Sequence, residues 1–487
     1  MEASSKSNES IDFIDKLSNA AGIFSGWLML LVSFCICYEI VSRFVFGKPT
    51  IWVYDVTTYA LVWYSFIAAG YALKEGRHLH VDIFTERCSL KVKIVLEIVG
   101  HICVLILACV ILFYSVETTI DVFISGEAEP TLISTPLWTI YAGMVLGAAV
   151  LSLQAIQELR KSMRLWFTTQ PSDSTYSFVF RSQWFCVLIL FTLVGIGVFM
   201  IGIERPALGI FILVITMLTF GIPVFASLGL AGVIGILFIF GMNGLPQVSQ
   251  ICQKATESNV LLAIPLYVMA GQLLQSGRIG PELFAFASAW GGHIRGGYAI
   301  ATVVACGIFA AVSGSSVATA AAIGSIAIPE MLKRGYKPSL AYGIVAGGGT
   351  LGVLIPPSGC MIIYSSMTNV STGALFMGGV LPGLVLVGAF AIYAFFAADK
   401  GITQEKSAWK ERLAATRYAI WGLLAPLIVL GGIYSGAFTP TEAAAVTVLY
   451  GLIVALSRGT IRPREIQTVI SDGTLSSTMI MMIIVGA

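Results

Sequence analysis

The sequence predicts an all-α polytopic membrane protein, and its composition is the first observation that does so. Hydrophobic residues fill 57% of the 487 positions and charged residues only 11%. Soluble globular domains carry about 25% charged residues, so this chain lacks the polar surface needed to cover a body in water. Long apolar segments, and clusters of glycine, serine and proline that interrupt them, are the second and third observations.

Four apolar segments near the N-terminus are long enough to cross a bilayer as helices, which takes about 20 residues. They lie at roughly 23–46, 53–73, 94–116 and 136–156. The first continues past the length of a cleavable signal sequence, so we expect it to remain in the membrane. Together the four segments predict a small helical module at residues 1–160.

A polar stretch and a fifth apolar segment separate this module from the rest of the chain. Residues 157–183 are polar, and residues 184–203 are again apolar. We therefore expect a cytoplasmic linker and a connecting helix at 161–205, followed by a large module at 206–487.

The distribution of basic residues predicts the orientation of the small module. Lysine and arginine occur repeatedly at 74–93 and at 160–181, whereas the loop at 117–135 contains neither. Because loops rich in lysine and arginine stay in the cytoplasm, both basic segments and the N-terminus are expected there. The loop at 117–135 is expected to face the periplasm.

The large module differs from the small one because clusters of small residues and prolines break its apolar runs. Five such clusters lie at 221–223, 313–316, 347–350, 355–358 and 438–442. In lipid, unwound backbone is tolerated only where it is buried in protein or lines a water-filled cavity. The runs at 298–312 and 317–328 are each too short for an ordinary span. We expect them to form a re-entrant hairpin whose tip is the 313–316 cluster.

A weak internal similarity suggests that the large module contains inverted repeats. The segments 223–232 and 440–449 each follow an apolar span and open a new helix of small residues. Inverted repeats with ions and substrate bound at broken helices are common in secondary transporters. A chance likeness between alanine-rich helices is the alternative.

Broken helices offer the chemistry of an ion site. Free carbonyls and hydroxyls can bind a sodium ion, and helix N-termini favour an anion. Neither 313–319 nor 348–358 contains a titratable side chain, and the nearest acid is Glu330. Proton coupling usually needs an intramembrane acid or histidine, so these segments favour sodium. Any single one of these residues could instead serve only in helix packing.

Other classes of function are poorly supported by the sequence. The cysteines form no pair of CxxC units and the four histidines are scattered, so no cofactor and no transition-metal site are expected. Ser313 lacks the glycine that precedes the nucleophile of an intramembrane serine protease, which argues against that activity. Basic residues are not interleaved with aromatic ones as they are in nucleic-acid binders, which argues against a nucleic-acid ligand. Glu39 and Arg43, at i and i+4, are expected to form an ion pair.

Several motifs resemble the fused membrane subunit of tripartite ATP-independent periplasmic (TRAP) transporters. Arg-Phe-Val-Phe-Gly at 43–47, Trp52, and Gly-Arg-His-Leu-His-Val-Asp at 76–82 resemble the small subunit. The large subunit is matched by Val-Ser-Gly-Ser-Ser-Val-Ala-Thr-Ala at 312–320, Gly-Thr-Leu-Gly-Val-Leu-Ile-Pro-Pro-Ser at 349–358, and Phe-Thr-Pro-Thr-Glu-Ala-Ala-Ala at 438–445. These motifs are spread over most of the chain.

The resemblance implies a sodium-coupled importer of a small organic acid, of the sialic acid or C4-dicarboxylate class, in the bacterial inner membrane. It implies a periplasmic substrate-binding protein as partner, and a transport part that moves like an elevator against a fixed scaffold. It also implies an ion site and residues close to the ion or substrate. The ion site would comprise Ser313, Gly352, Ile355 and Pro357, and the nearby residues would be Ser315, Ser316, Thr319, Gly349, Thr350, Pro356 and Ser358.

The chain departs from the family pattern at two places. Only Asp55 follows Trp52 where family members usually carry an acidic pair, so no role is transferred to that position. The family also continues past the equivalent of Ala487 with a second hairpin, so we expect a fragment whose second repeat is incomplete. A related carrier without a binding protein, and a membrane scaffold that does not transport, are the alternative functions.

Overall fold

The computed structural model is built mainly of α-helices. It describes residues 2–76, 80–81, 85–131, 133–168, 176–202, 205–399 and 406–487, without the side chains of 2–12, 87 and 176–188. Nine helices in these ranges are long and apolar enough to cross a membrane, and the same ranges contain no β-strand. The prediction of an all-α polytopic membrane protein is confirmed.

The first five helices correspond to the predicted apolar segments but extend beyond them. They are α1 (Glu2–Val45), α2 (Trp52–Lys74), α3 (Leu90–Ser125), α4 (Trp138–Thr168) and α5 (Tyr176–Gly202). α1 includes the polar N-terminal residues, because no proline precedes Pro49 and the first glycine with a positive φ is Gly47, at 63°. Nothing before that point therefore stops the helix.

The large module contributes thirteen described helices, several of them short. They are α6 (Pro206–Thr219), α7 (Val224–Phe240), α8 (Gln247–Thr256), α9 (Ala263–Ser276), α10 (Ile279–Gly291), α11 (Gly297–Ser313), α12 (Ser316–Lys333), α13 (Pro338–Leu354), α14 (Gly359–Thr368), α15 (Thr372–Ala397), α16 (Trp409–Tyr434), α17 (Pro440–Ser457) and α18 (Ile466–Gly486). Four of the five predicted interruptions, at 221–223, 313–316, 355–358 and 438–442, coincide with breaks between helices, although the last one extends into the first turn of α17.

The predicted interruption at 347–350 was wrong. α13 runs without a break through Gly347, Gly348, Gly349 and Thr350. A Cβ on Gly348 would lie 2.8 Å from the sulfur of Cys306. These glycines therefore let neighbouring helices approach α13 closely, which small residues also do between helices in lipid.

The described chain divides into two compact units. Unit 1 comprises Met1–Leu28, Tyr54–Glu257 and Thr474–Ala487. Its core is formed where α3 and α4 pack together, with Val104 and Met144 fully buried, and where α7 adds Phe225. Unit 2 comprises Met29–Val53 and Ser258–Gly473. The module boundaries at residues 160 and 205 stay a prediction.

In unit 2, α11 is the most enclosed helix. Fourteen of its 17 residues are buried, among them Phe309 and Val312. It packs against α10, α12, α13, α15 and α16, and most of its residues are small, so those helices can lie close to it. The C-terminal end of α11 is consequently held in place on several sides.

The expected ion pair between Glu39 and Arg43 is not formed. Glu39 instead accepts a hydrogen bond from the backbone N–H of Thr50 at 2.8 Å, and a second from the Thr50 hydroxyl. Arg43 donates to Oε1 of Glu442 at 2.6 Å. The i, i+4 spacing permits an ion pair but does not require one. Here Glu39 binds a backbone N–H that follows α1, and Arg43 binds a carboxylate at the start of α17.

Candidate ion site at two interrupted helices

The α11–α12 hairpin turns within two residues. Gly314 has a φ of 61° and its N–H bonds to the carbonyl of Ala310, which ends α11. Ser315 is the N-cap of α12, and its hydroxyl accepts from the N–H of Ala318 at 3.4 Å. The Thr302 hydroxyl in α11 lies 3.7 Å from the sulfur of Met331 near the far end of α12. The two helices therefore lie side by side and antiparallel.

Buried hydroxyls and a carbonyl gather at the tip of this hairpin. The oxygen of Ser313 lies 3.0 Å from that of Thr319, and Thr319 donates to the carbonyl of Ser315 at 2.8 Å. Ser313 is 2% exposed and Thr319 is fully buried. The tip thus holds three neutral oxygen atoms within a few ångströms of one another.

The second interruption follows α13 and exposes carbonyls of its last turn. In a continuous helix the carbonyls of Gly352 and Val353 would accept from residues 356 and 357, but both of these are proline and have no N–H. The hydroxyl of Ser358 donates to the carbonyl of Val353. The carbonyl of Gly352 is left without a donor from its own helix.

The two interruptions touch through their backbones. A Cβ on Gly314 would lie 2.6 Å from the carbonyl oxygen of Pro357, and one on Gly352 would lie 2.6 Å from the carbonyl carbon of Ser315. Only glycine allows this approach at either position. The hairpin tip and the end of α13 therefore meet, which brings most of the candidate residues together.

Ser316, at the hairpin tip, has a buried hydroxyl that could bind a ligand. Its hydroxyl oxygen is buried and has no hydrogen-bond partner among the described residues. The carbonyl of the same residue would lie 3.2 Å from a Cβ on Gly349. A buried hydroxyl without a partner costs about 1–3 kcal/mol, which a bound ion would offset.

Three of the candidate residues offer fewer ligand-binding groups to the site than the motif suggests. Thr350 is exposed, and its hydroxyl donates to the carbonyl of Gly347 at 2.7 Å. The side chain of Ile355 packs toward Gly383 in α15, so only its backbone is free to bind a ligand. Pro356 is buried and offers only a carbonyl.

Charged groups do not enter the site. Glu330 pairs with Arg334 at 3.0 Å near the C-terminal end of α12, and Arg334 stacks over the ring of Tyr298 at 3.9 Å. In the described ranges no group of three or more His, Cys, Asp or Glu side chains could hold a metal ion. What the site offers is hydroxyl and carbonyl oxygen.

A cavity of about 200 Å³ in unit 1 contains none of the candidate residues. It is apolar and lies among α3, α7, α8 and α18, where Leu107, Phe225, Val248 and Met482 line it.

The start of α17 has a role that the motif alone did not reveal. Thr439 and Glu442 cap the helix reciprocally, with the N–H of Thr439 2.8 Å from Oε2 of Glu442. Oε1 of the same carboxylate binds Arg43, and Tyr267 donates to the carbonyl of Pro440 at 2.9 Å. The Thr-x-x-Glu spacing is the signal that would have predicted the cap.

Apolar helices that are interrupted where buried hydroxyl and carbonyl oxygens meet are typical of membrane transport proteins. Comparison with known families agrees. The DctM component of tripartite ATP-independent periplasmic transporters matches residues 211–487, and the DctQ component matches residues 32–165. The chain therefore belongs to the TRAP transporter family and carries both membrane components in one polypeptide.

Individual relatives are named for several small organic substrates. An isethionate TRAP permease, DctMQ of Oleidesulfovibrio alaskensis, is 30% identical over 88% of this chain and 66% of its own length. A C4-dicarboxylate large permease, DctM of Vibrio cholerae, is 47% identical over 50% of this chain and 55% of its own length. The sialic acid permease SiaT of Haemophilus influenzae is 28% identical over 91% of this chain and 71% of its own length. The chain thus spans between about half and two thirds of the first two relatives.

Proposed function

We propose that this protein is the membrane part of a sodium-coupled importer for a small organic acid in the bacterial inner membrane. The observation that carries the proposal is the contact between the Ser313–Ser316 tip and the end of α13, which gathers buried oxygens around an unpartnered hydroxyl. Relatives named for C4-dicarboxylates, sialic acid and isethionate support the substrate class.

Sodium fits the chemistry of these oxygens better than a proton does. Ser313, Thr319 and the carbonyls of Ser315 and Gly352 are neutral ligands, whereas a proton carrier usually needs an acid or histidine. Inward movement of one sodium charge releases about 2.3 kcal/mol per 100 mV. Because the organic acid is itself an anion, this energy is available only if the sodium charges moved exceed the negative charge of the acid. One net positive charge would then support a substrate gradient of roughly fiftyfold per 100 mV, since 1.4 kcal/mol is tenfold.

Membership of the family supports a proposal for the partner and for the mechanism. A periplasmic substrate-binding protein would deliver the organic acid, and the part that contains the hairpin would move like an elevator while the DctQ component stays fixed. The N-terminus would lie in the cytoplasm, because the loop at 117–135 has no lysine or arginine.

Uptake by the full-length protein in proteoliposomes tests this proposal. Labelled succinate, N-acetylneuraminate and isethionate serve as probes, each with and without a sodium gradient and a matching periplasmic binding protein. We expect uptake of one probe only when both are present. Sodium-dependent uptake without a binding protein would instead indicate an independent carrier. No uptake of any probe under any gradient would contradict transport.

A further inference from the structure

One guanidinium group in unit 2 is buried and has no counter-ion among the described residues. Arg412, the fourth residue of α16, is 8% exposed. Its Nε and Nη2 atoms are fully buried and have no hydrogen-bond partner among the described residues. The adjacent carboxylate of Glu411 is engaged elsewhere, since it accepts from the N–H of Ala408 at 3.1 Å. A buried charge without a partner is strongly destabilising, so a bound anion would stabilise this site.

Two tryptophans hold the guanidinium in place. Its central carbon lies 5.6 Å from the ring of Trp290, at the end of α10, and 5.8 Å from the ring of Trp409. The two rings meet edge to face with their centroids 5.8 Å apart. The indole N–H of Trp290 donates to the hydroxyl of Thr416 at 3.1 Å, which fixes that ring. Arg412 is therefore preorganised and cannot easily swing into water.

The third guanidinium nitrogen of Arg412, Nη1, is the only one of the three that is not fully buried. Nη1 has no described partner, and it is not among the fully buried atoms of this side chain. Trp290 and Trp409 beside it are 41% and 73% exposed. An anion outside the protein would therefore bind at Nη1, where it would neutralise the charge that the whole guanidinium shares.

The surface next to this opening is apolar along the whole helix. Trp409, Leu413, Ile420 and Leu427 lie on one face of α16 and are 73%, 71%, 40% and 65% exposed. α16 is long and apolar enough to span the membrane, so this face contacts lipid. An acyl chain can lie along the stripe while its headgroup lies at the opening.

Basic residues place this end of α16 on the side where anionic lipids are found. Lys406, Lys410 and Arg417 flank Arg412 in the sequence. The positive-inside rule assigns such a segment to the cytoplasm, and the cytoplasmic leaflet carries negative surface potential.

We propose that Arg412, between Trp290 and Trp409, binds the phosphate of an anionic phospholipid whose acyl chain lies along the exposed stripe of α16. Free inorganic phosphate shares the headgroup chemistry, but it would make no use of the apolar stripe.

Lipid titration of the purified, delipidated full-length protein, followed by native mass spectrometry, tests the proposal. Phosphatidylglycerol should bind tighter than phosphatidylcholine, and Arg412→Gln should weaken phosphatidylglycerol binding about tenfold, the loss expected for one charge-assisted hydrogen bond. Arg417→Gln is the matched control, because Arg417 is exposed on the same helix, and it should change binding less than about twofold. Equal binding of phosphatidylglycerol to Arg412→Gln and to the unchanged protein would overturn the proposal.

Two further measurements distinguish the source of the phosphate and guard against misfolding. Inorganic phosphate should neither bind nor displace phosphatidylglycerol; if it binds as well as the lipid does, the lipid assignment is wrong. Trp409→Ala removes a largely exposed ring and should preserve the fold, yet it should weaken phosphatidylglycerol binding several-fold. Unchanged binding in that folded variant would also overturn the proposal.

Discussion

At the scale of single residues, Gly314 is the position of the site where a glycine is most clearly required. Its positive φ disfavours any residue other than glycine. A Cβ at this position would also lie only 2.6 Å from the carbonyl oxygen of Pro357. Both constraints act at the point where the two interrupted helices touch.

We predict that Gly314→Ala destabilises the protein by about 1–3 kcal/mol and separates the two interruptions, because it adds both backbone strain and a steric clash. The melting temperature measures the loss. Gly459→Ala is the matched control, since Gly459 has a φ of 63° but open space around it. Equal losses in the two variants would show that the contact with Pro357 is unimportant.

Glu257 provides a second prediction at this scale. Burial raises the pKa of this carboxyl above its ordinary value of 4.5, and the nearby carboxylate of Glu129 adds to the rise, while Lys254 opposes it. The folded state therefore holds this proton more tightly than the unfolded chain, so stability falls as the pH rises from about 4.5 through the folded-state pKa.

We expect Glu257→Gln to raise the melting temperature at neutral pH, because glutamine avoids the cost of ionising this carboxyl. Its amide oxygen can still accept from Gln253, which donates to Glu257 at 3.1 Å. The advantage should disappear below about pH 4, where the native side chain is protonated. Glu127→Gln, in the exposed part of the same loop as Glu129, is the control for the loss of one carboxylate. A pH-independent effect of Glu257→Gln would contradict a raised pKa at this carboxyl.

At the scale of helices, the ion pair between Arg43 and Glu442 joins the end of α1 to the start of α17. Glutamine at position 442 can still cap the helix, so Glu442→Gln removes only the ion pair. We predict a coupling energy of about 0.5–1 kcal/mol between Arg43→Gln and Glu442→Gln, which is modest because Arg43 is partly exposed to solvent. A double-mutant cycle measured by thermal unfolding tests it, and strictly additive effects would rule out the coupling.

Helices were the part of the fold that the sequence predicted best. Hydropathy and length located α1 to α5, and the prolines at 356 and 357 marked the end of α13, because proline removes a backbone donor in any context. Glycines are less informative, since a glycine that breaks a helix and one that lets two helices pack look the same in a sequence. For this reason the break at 314 was predicted correctly and the one at 347–350 was not.

Contacts between distant residues could not be predicted in the same way. Arg43 and Glu442 are 399 positions apart, and the spacing of Arg43 favoured Glu39 instead. Likewise, the interruptions in the sequence pointed to the segments that contain Ser313 and Gly352, but the two residues were assigned to one ion site only through family resemblance. The folded chain shows that Gly352 lies against the hairpin backbone. Which side chain meets which depends on helix packing, and local patterns do not determine it.

At the scale of the whole molecule, the protein combines a DctQ component and a DctM component in one chain. The proposed function depends on one claim about this molecule: that the oxygens of the α11–α12 tip and of the α13 end bind sodium. Nine described helices are long and apolar enough to span a membrane, where backbone carbonyls freed by a helix break need partners that a bound ion would supply.

The most direct test is the melting temperature of the full-length protein in sodium chloride and in choline chloride at equal ionic strength. Sodium at about ten times its Kd should stabilise the protein by roughly 1.4 kcal/mol, and Ser313→Ala with Thr319→Val should abolish that gain. Thr447→Val should retain it, because Thr447 is an equally buried threonine whose hydroxyl bonds to its own helix at 2.7 Å. The same sodium-dependent gain in all three proteins, or no gain in any of them, would contradict a sodium site at the interrupted helices.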